Sequence, residues 1–165
     1  KSQLYNIPQF TKVPIAVETA AELAALPGIA GIKDSSGDQV NTQNMINAAG
    51  GEGFRVITGS DHLVFAALAY GGDGCIGTGM NVAPRWFVDL WDAAAEGRWG
   101  DALVLQKKIT DMQRSIGYGD FPAGIKACLS LMGIGTPRVA SPRRSVTEDE
   151  RASIAASLRR LGLLS

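Results

Sequence analysis

Four short apolar runs recur along the chain, and their rhythm constrains the fold more than any other feature. They are LYNI (4–7), IAGIK (29–33), FRVIT (54–58) and GCIGT (74–78), set roughly 20 to 27 residues apart. Stretches with helical spacing fill the gaps at 17–26, 39–49 and 61–70, and a fourth covers 83–96. Pro8 stops the first run, while Pro27-Gly28, Gly50-Gly51 and Gly71-Gly72 close the helices. The runs are continuously apolar rather than alternating, as expected of parallel strands covered on both faces. The chain therefore reads as α/β, with four βα units. Two architectures use such units: a doubly wound open sheet, and part of an eight-fold βα barrel.

After Gly97 the rhythm changes. Segments 101–116, 122–132 and 147–161 all have helical spacing, with no strand between them. Thr147 followed three residues later by Glu150 marks the last start as a capping box. The expected organisation is a βα region over 1–96 and a helical extension over 97–165.

Composition removes several function classes. Lys plus Arg and Asp plus Glu are 16 each, so the formal net charge is zero. A balanced, well-mixed surface argues against nucleic acid and anionic membranes as partners. No apolar run approaches the roughly 20 residues of a membrane span. Cys75 and Cys128 stand far apart, which points to a reducing, cytoplasmic setting rather than a disulfide framework. His62 is the single histidine, so a His-rich metal site is excluded. The chain starts without Met and enters an apolar run by residue 4, as the tail of a longer protein would.

Lys33 closes the second run, inside GIAGIKDSSGD (28–38). At the C-terminal end of a central parallel strand a lysine would be desolvated, which favours the neutral amine and lets it attack a carbonyl. Active sites of βα barrels sit on that side. The structural alternative is a lysine that reaches solvent or pairs with Asp34 or Asp38, and position alone favours it. Tyr5 ends the preceding strand at the same level, where a phenol can move protons or simply be buried. Gly72, Gly74 and Gly77 match a dinucleotide fingerprint, but they fall before and inside a strand instead of after one. Phosphate binding to backbone amides there, or plain close packing, remain as readings. Ser60 or Asp61 can cap the helix at 61–70, or Asp61 can recognise a hydroxylated substrate. Trp86 and Trp91 read as helix packing.

Together LYNIP (4–8), GIKDSSGD (31–38), ITGSD (57–61) and GGDGCIGTGMNVAP (71–84) resemble the dihydrodipicolinate synthase / N-acetylneuraminate lyase family of class I, pyruvate-dependent aldolases. The resemblance covers nearly the whole chain. It implies a TIM (β/α)8 barrel with a C-terminal helical extension, of which this chain matches the C-terminal half, strands 5–8 plus the extension. It implies Lys33 as the Schiff-base lysine and Tyr5 as the proton-shuttling tyrosine. Ile76 would present backbone near bound pyruvate, and Gly59, Asp61 and Thr78 would contact the polyhydroxy part of a substrate. His62 departs from the acidic residue of the neuraminate-lyase branch. Phe10 stands where dihydrodipicolinate synthases carry an arginine for a substrate carboxylate, a contact that an apolar side chain cannot make.

The reading implied is a lyase cleaving a 2-keto-3-deoxy sugar acid or similar 2-keto acid to pyruvate and an aldehyde. The alternatives are 4-hydroxy-tetrahydrodipicolinate synthase, a phosphate-binding barrel enzyme, and a non-catalytic truncated half-barrel. No cofactor or metal is expected, since the substrate is held covalently on Lys33. The resemblance also implies a homotetramer.

Overall fold

The computed structural model describes residues 1–51 and 53–165. Its contacts divide them into two compact units: Lys1–Gly77 with Ala93–Trp99, and Thr78–Asp92 with Gly100–Ser165. The boundary expected at 96/97 falls within the 93–99 segment.

The first unit is built on one sheet of four parallel strands: β1 (Ser2–Asn6), β2 (Ile29–Asp34), β3 (Arg55–Thr58) and β4 (Gly74–Cys75). Their spatial order follows the chain, β1-β2-β3-β4. The intervening helices are α1 (Pro8–Thr11), α2 (Val17–Ala24), α3 (Gln39–Ala49) and α4 (Val64–Ala69). Ala20 of α2 and Met45 of α3 bury against Ile32 and Val56 of the sheet, with Phe54 beside them. These five fully or nearly fully buried apolar side chains favour folding at roughly 25 cal/mol per Å² of apolar surface removed from water.

Several expectations need correction. β1 is an edge strand and is not covered on both faces, so Tyr5 is 49% exposed. The short helix α1, which starts at Pro8, was not expected. The fourth strand was expected over 74–78 but pairs only at Gly74 and Cys75. Ile76 still donates its N–H to the Thr58 carbonyl at 3.0 Å, and the chain then turns into a 3-10 helix at Gly79–Asn81. The helix expected over 61–70 splits into a 3-10 turn, Asp61–Leu63, and α4. Ser60 makes no side-chain cap, and Asp61 is buried at 5% exposure inside the 3-10 turn. By contrast Asp38 does cap α3, accepting from the N–H groups of Val40 and Asn41 at 2.9 and 3.2 Å.

Gly31 shows how closely β2 and β3 approach. A Cβ there would collide with the Arg55 carbonyl of its paired residue. Backbone on both sides would have to move, so Gly31→Ala is expected to cost about 2 kcal/mol or more. Urea unfolding monitored by circular dichroism checks this.

The second unit is helical: α5 (Pro84–Ala95), of which 84–92 belong here, α6 (Trp99–Ile116) from Gly100 on, α7 (Ala123–Leu131) and α8 (Glu148–Arg160). Ile109 and Met112 of α6, Ala127 and Cys128 of α7, and Ile154 and Leu158 of α8 are fully buried. Within residues 84–92 of α5 the buried positions are Phe87 and Leu90; Trp91, expected to pack, is 44% exposed. A Cβ on Gly124 would strike the Ile116 carbonyl, so a glycine lets α7 start against the end of α6.

The capping box at α8 forms as expected. Thr147 accepts from the Glu150 N–H at 3.2 Å, and Glu150 accepts from the Thr147 N–H at 2.8 Å. Glu150 also takes a two-pronged contact from Arg144, at 2.8 and 3.0 Å. The Arg144 hydrogen bond, and then the Thr147 N–H, hold the Glu150 carboxyl down at about 2. A depressed folded value stabilises above the unfolded value, near 4.5, and is lost as pH falls toward 2. Glu150→Gln is therefore expected to lower the thermal midpoint at pH 7. The gap to wild type should close as pH drops from 4.5 to 2.

Candidate active site

The parallel register pairs Tyr5 with Lys33 and Asn6 with Asp34 across β1 and β2. Because successive strand residues face opposite sides, Tyr5 and Lys33 share one face and Asn6 and Asp34 the other. On the first face Lys33 Nζ donates to Tyr5 Oη at 3.4 Å and lies 4.4 Å from the ring centroid. The ammonium thus sits above the hydroxyl edge of the phenol, within cation–π range. Lys33 is half-buried, so the seat expected to desolvate it encloses it only in part.

Neither acid beside Lys33 in the sequence pairs with it. Asp38 is spent on the α3 cap. Asp34 points to the opposite face and is 1% exposed. The surface ion-pair alternative for Lys33 is thereby excluded.

Gly59, just past β3, borders the lysine. A Cβ at Gly59 would stand 2.9 Å from Lys33 Cε and would overlap Ser35 Oγ. Its absence leaves the path along which the lysine side chain runs. Asp61 approaches Gly77 so closely that a Cβ there would overlap its carboxylate. A carboxylate held against the glycine-rich turn disfavours an anion such as phosphate at that segment. Cys75 feels both groups: burial, then the Asp61 charge, push its thiol up to about 12, and the Lys33 charge offsets part of this. Cys75 therefore stays protonated and is no nucleophile. Ile76 spends its N–H on Thr58, leaving its carbonyl as the backbone group it can present. Thr78 opens the second unit, where its carbonyl accepts from Asn81 Nδ2 at 3.0 Å and from the Asn81 N–H at 3.2 Å.

Residues 2–161 match the sequence profile of the dihydrodipicolinate synthetase family. This chain belongs to that family. One relative, the 4-hydroxy-tetrahydrodipicolinate synthase of Methylobacterium radiotolerans, is 36% identical over 163 residues, 98% of this chain and 54% of the relative. Among solved structures, YagE of E. coli K12, a family member in complex with pyruvate, superposes with a TM-score of 0.91 at 28% identity. That match covers 98% of this chain and 56% of YagE. The chloride-inhibited dihydrodipicolinate synthase of Acinetobacter baumannii, complexed with pyruvate, gives 0.90 at 29% identity, covering 98% and 55%. The chain thus spans about half the length of the relatives it matches. For a family of this kind, four parallel βα units are part of a barrel and not a doubly wound sheet.

Two side chains of the family motifs were passed over by sequence reasoning: Asn6, and Asp34 in any role but that of an ion-pair partner. The signal was present. The separation of 28 residues that sets Tyr5 against Lys33 also sets Asn6 against Asp34.

Among the described residues, no group of three or more His, Cys, Asp and Glu side chains is arranged to hold a metal ion. No helix is long and apolar enough to cross a membrane.

Proposed function

We propose that this chain carries the Schiff-base machinery of a pyruvate-utilising carbon–carbon lyase of the dihydrodipicolinate synthetase family. The observation that carries the reading is Lys33 Nζ at 3.4 Å from Tyr5 Oη, at the C-terminal ends of adjacent parallel strands. The neutral amine of Lys33 attacks the C2 carbonyl of a 2-keto acid, and loss of water leaves an iminium. The iminium accepts electrons from the C3–C4 bond as it breaks, giving an enamine and an aldehyde. Tyr5 gives its proton to the hydroxyl that departs as water, and the phenolate so formed takes the proton from the C4 hydroxyl in this direction. Protonation at C3 and hydrolysis release pyruvate and restore the amine. Run in reverse, the pyruvate enamine adds to an aldehyde, which is the synthase direction.

The named relative shifts the preferred direction. The sequence reading favoured cleavage of a sugar-derived 2-keto acid, whereas the Methylobacterium relative bears the name 4-hydroxy-tetrahydrodipicolinate synthase. Synthase activity is accordingly the better supported member of the pair. Phe10, 63% exposed on α1, is the observation that keeps the sugar-acid reading as second. Assaying aspartate semialdehyde against hydroxyaldehydes as acceptors for pyruvate separates the two.

We place the four βα units at the second half of the barrel. Among the described residues only helices follow β4, as in a barrel that ends in a helical extension; a first half would run on from α5 into another strand. Ile76, Thr78, Gly59 and Asp61 remain proposed substrate contacts on the same resemblance.

Sodium borohydride added with pyruvate to the intact protein tests the reading. The expected result is one covalent pyruvate adduct, mapped by peptide mass spectrometry to Lys33. An adduct on another lysine, or none, refutes it.

A further inference from the structure

On the sheet face opposite Lys33, Asp34 is almost completely enclosed yet ionisable, and no cation touches it among the contacts it makes. Its charge is met by neutral donors alone. Oδ1 accepts from Asn6 Nδ2 at 2.8 Å and from the Ser36 N–H at 3.0 Å. Oδ2 accepts from Thr42 Oγ1 at 2.7 Å, Ser36 Oγ at 3.1 Å and Asn41 Nδ2 at 3.2 Å. A buried carboxylate is costly unless its lone pairs are satisfied, and here they are. The donors come from three places: the end of β1, the loop after β2, and the first turns of α3.

Asn6 is fixed in turn. It is 1% exposed, and its Oδ1 accepts from the Ile15 N–H at 2.9 Å, which points its Nδ2 at Asp34. The Asn6–Asp34 hydrogen bond therefore joins the two strand ends one residue beyond the Tyr5–Lys33 pair. The backbone continues the ladder there, with Ser35 N–H donating to the Asn6 carbonyl at 2.8 Å.

We propose that Asp34 is the positioning residue of the Lys33–Tyr5 pair. Its carboxylate clamps β1, the loop after β2 and α3 from behind the sheet, and so fixes the separation between amine and phenol on the front. The proposal rests on the Schiff-base reading for its consequence in catalysis, but the geometry it asserts can be tested without it.

Asp34→Asn preserves shape and keeps one acceptor, while replacing the other with an NH₂ facing Asn41 and Thr42. Two readouts apply to the intact protein. The first is pyruvate trapping by borohydride across pyruvate concentrations, which separates the half-saturating concentration from the maximal rate. The maximal rate is expected to fall about tenfold or more, with half-saturation changed less than about threefold, because misplacement acts on reaction more than on binding. The second is competitive acylation of lysines by acetic anhydride, read by mass spectrometry. Lys33 reactivity relative to the exposed Lys107 and Lys108 is expected to change at least about threefold as its setting against Tyr5 loosens.

Circular dichroism confirms that the variant is folded. Should Asp34→Asn not fold, Thr42→Val removes the shortest donor and keeps the charge; the same changes, smaller in size, are expected. Unchanged trapping and unchanged relative reactivity in a folded variant overturn the proposal. If wild type itself traps no pyruvate on Lys33, the functional reading falls, and the acylation experiment alone decides the positioning claim.

Discussion

Lys33→Arg is expected to abolish the trappable pyruvate adduct and to lower turnover by roughly 10³-fold or more, while the protein stays folded. The substitution separates charge from nucleophilicity. Arginine keeps a cation over the Tyr5 ring, where Lys33 Nζ lies 4.4 Å from the centroid, and it can still donate to the phenol. A guanidinium is always protonated and has no lone pair with which to attack a carbonyl. If Lys33 were held only for its charge, arginine would be tolerated. Lys33 is half-buried and forms no buried ion pair, so the change in folding free energy should stay within about 1 kcal/mol. Intact mass after borohydride reduction, together with a urea melt, reads both quantities. An adduct of wild-type yield in the arginine variant would remove Lys33 from the mechanism.

The parts of this molecule that sequence made legible are those written in local chemistry. The helix at 39–49 is observed as Gln39–Ala49, because Asp38 caps one end and Gly50-Gly51 follows the other. The α8 cap is likewise a four-residue code. The Tyr5–Lys33 pairing was legible only as a separation along the chain; parallel register turns that separation into contact. What escaped were features set by close approach. The strand expected over 74–78 stops after two residues, and Gly77 lies close against the Asp61 carboxylate. Asp34 looked like a counter-ion for its neighbour. Strand alternation sends it to the other face, where donors from β1 and α3 are waiting. Trp91 was expected to pack because it stands at helical spacing from Trp86, Phe87 and Leu90, but Phe87 and Leu90 occupy the inward stripe of α5.

Gly59→Ala is expected to produce the opposite pairing of effects to Gly31→Ala: stability almost kept, chemistry largely lost. At Gly31 the added methyl would meet backbone of a paired strand, which cannot yield. At Gly59 it would meet side-chain atoms: Ser35 Oγ, with Lys33 Cε and Ser35 Cβ each at 2.9 Å, the last needing a small shift of the loop after β2. A hydroxyl can rotate away, and a lysine stem can change rotamer, at a cost of about 1 kcal/mol. The displacement is nevertheless applied one bond from the reacting nitrogen. Moving Cε by a few tenths of an ångström or more swings Nζ relative to Tyr5 Oη, a contact already at 3.4 Å and with little range to spare. Misplacement on the scale of 1 Å can cost about 100-fold in rate, so a loss of about 10- to 100-fold in the maximal rate of pyruvate trapping is expected. The thermal midpoint should move by only a few degrees, about what 1 kcal/mol produces in a domain of this size. A variant that loses trapping only in proportion to its folded fraction would show that Gly59 serves packing alone. One that traps at the wild-type rate would show that the lysine takes another path to its substrate.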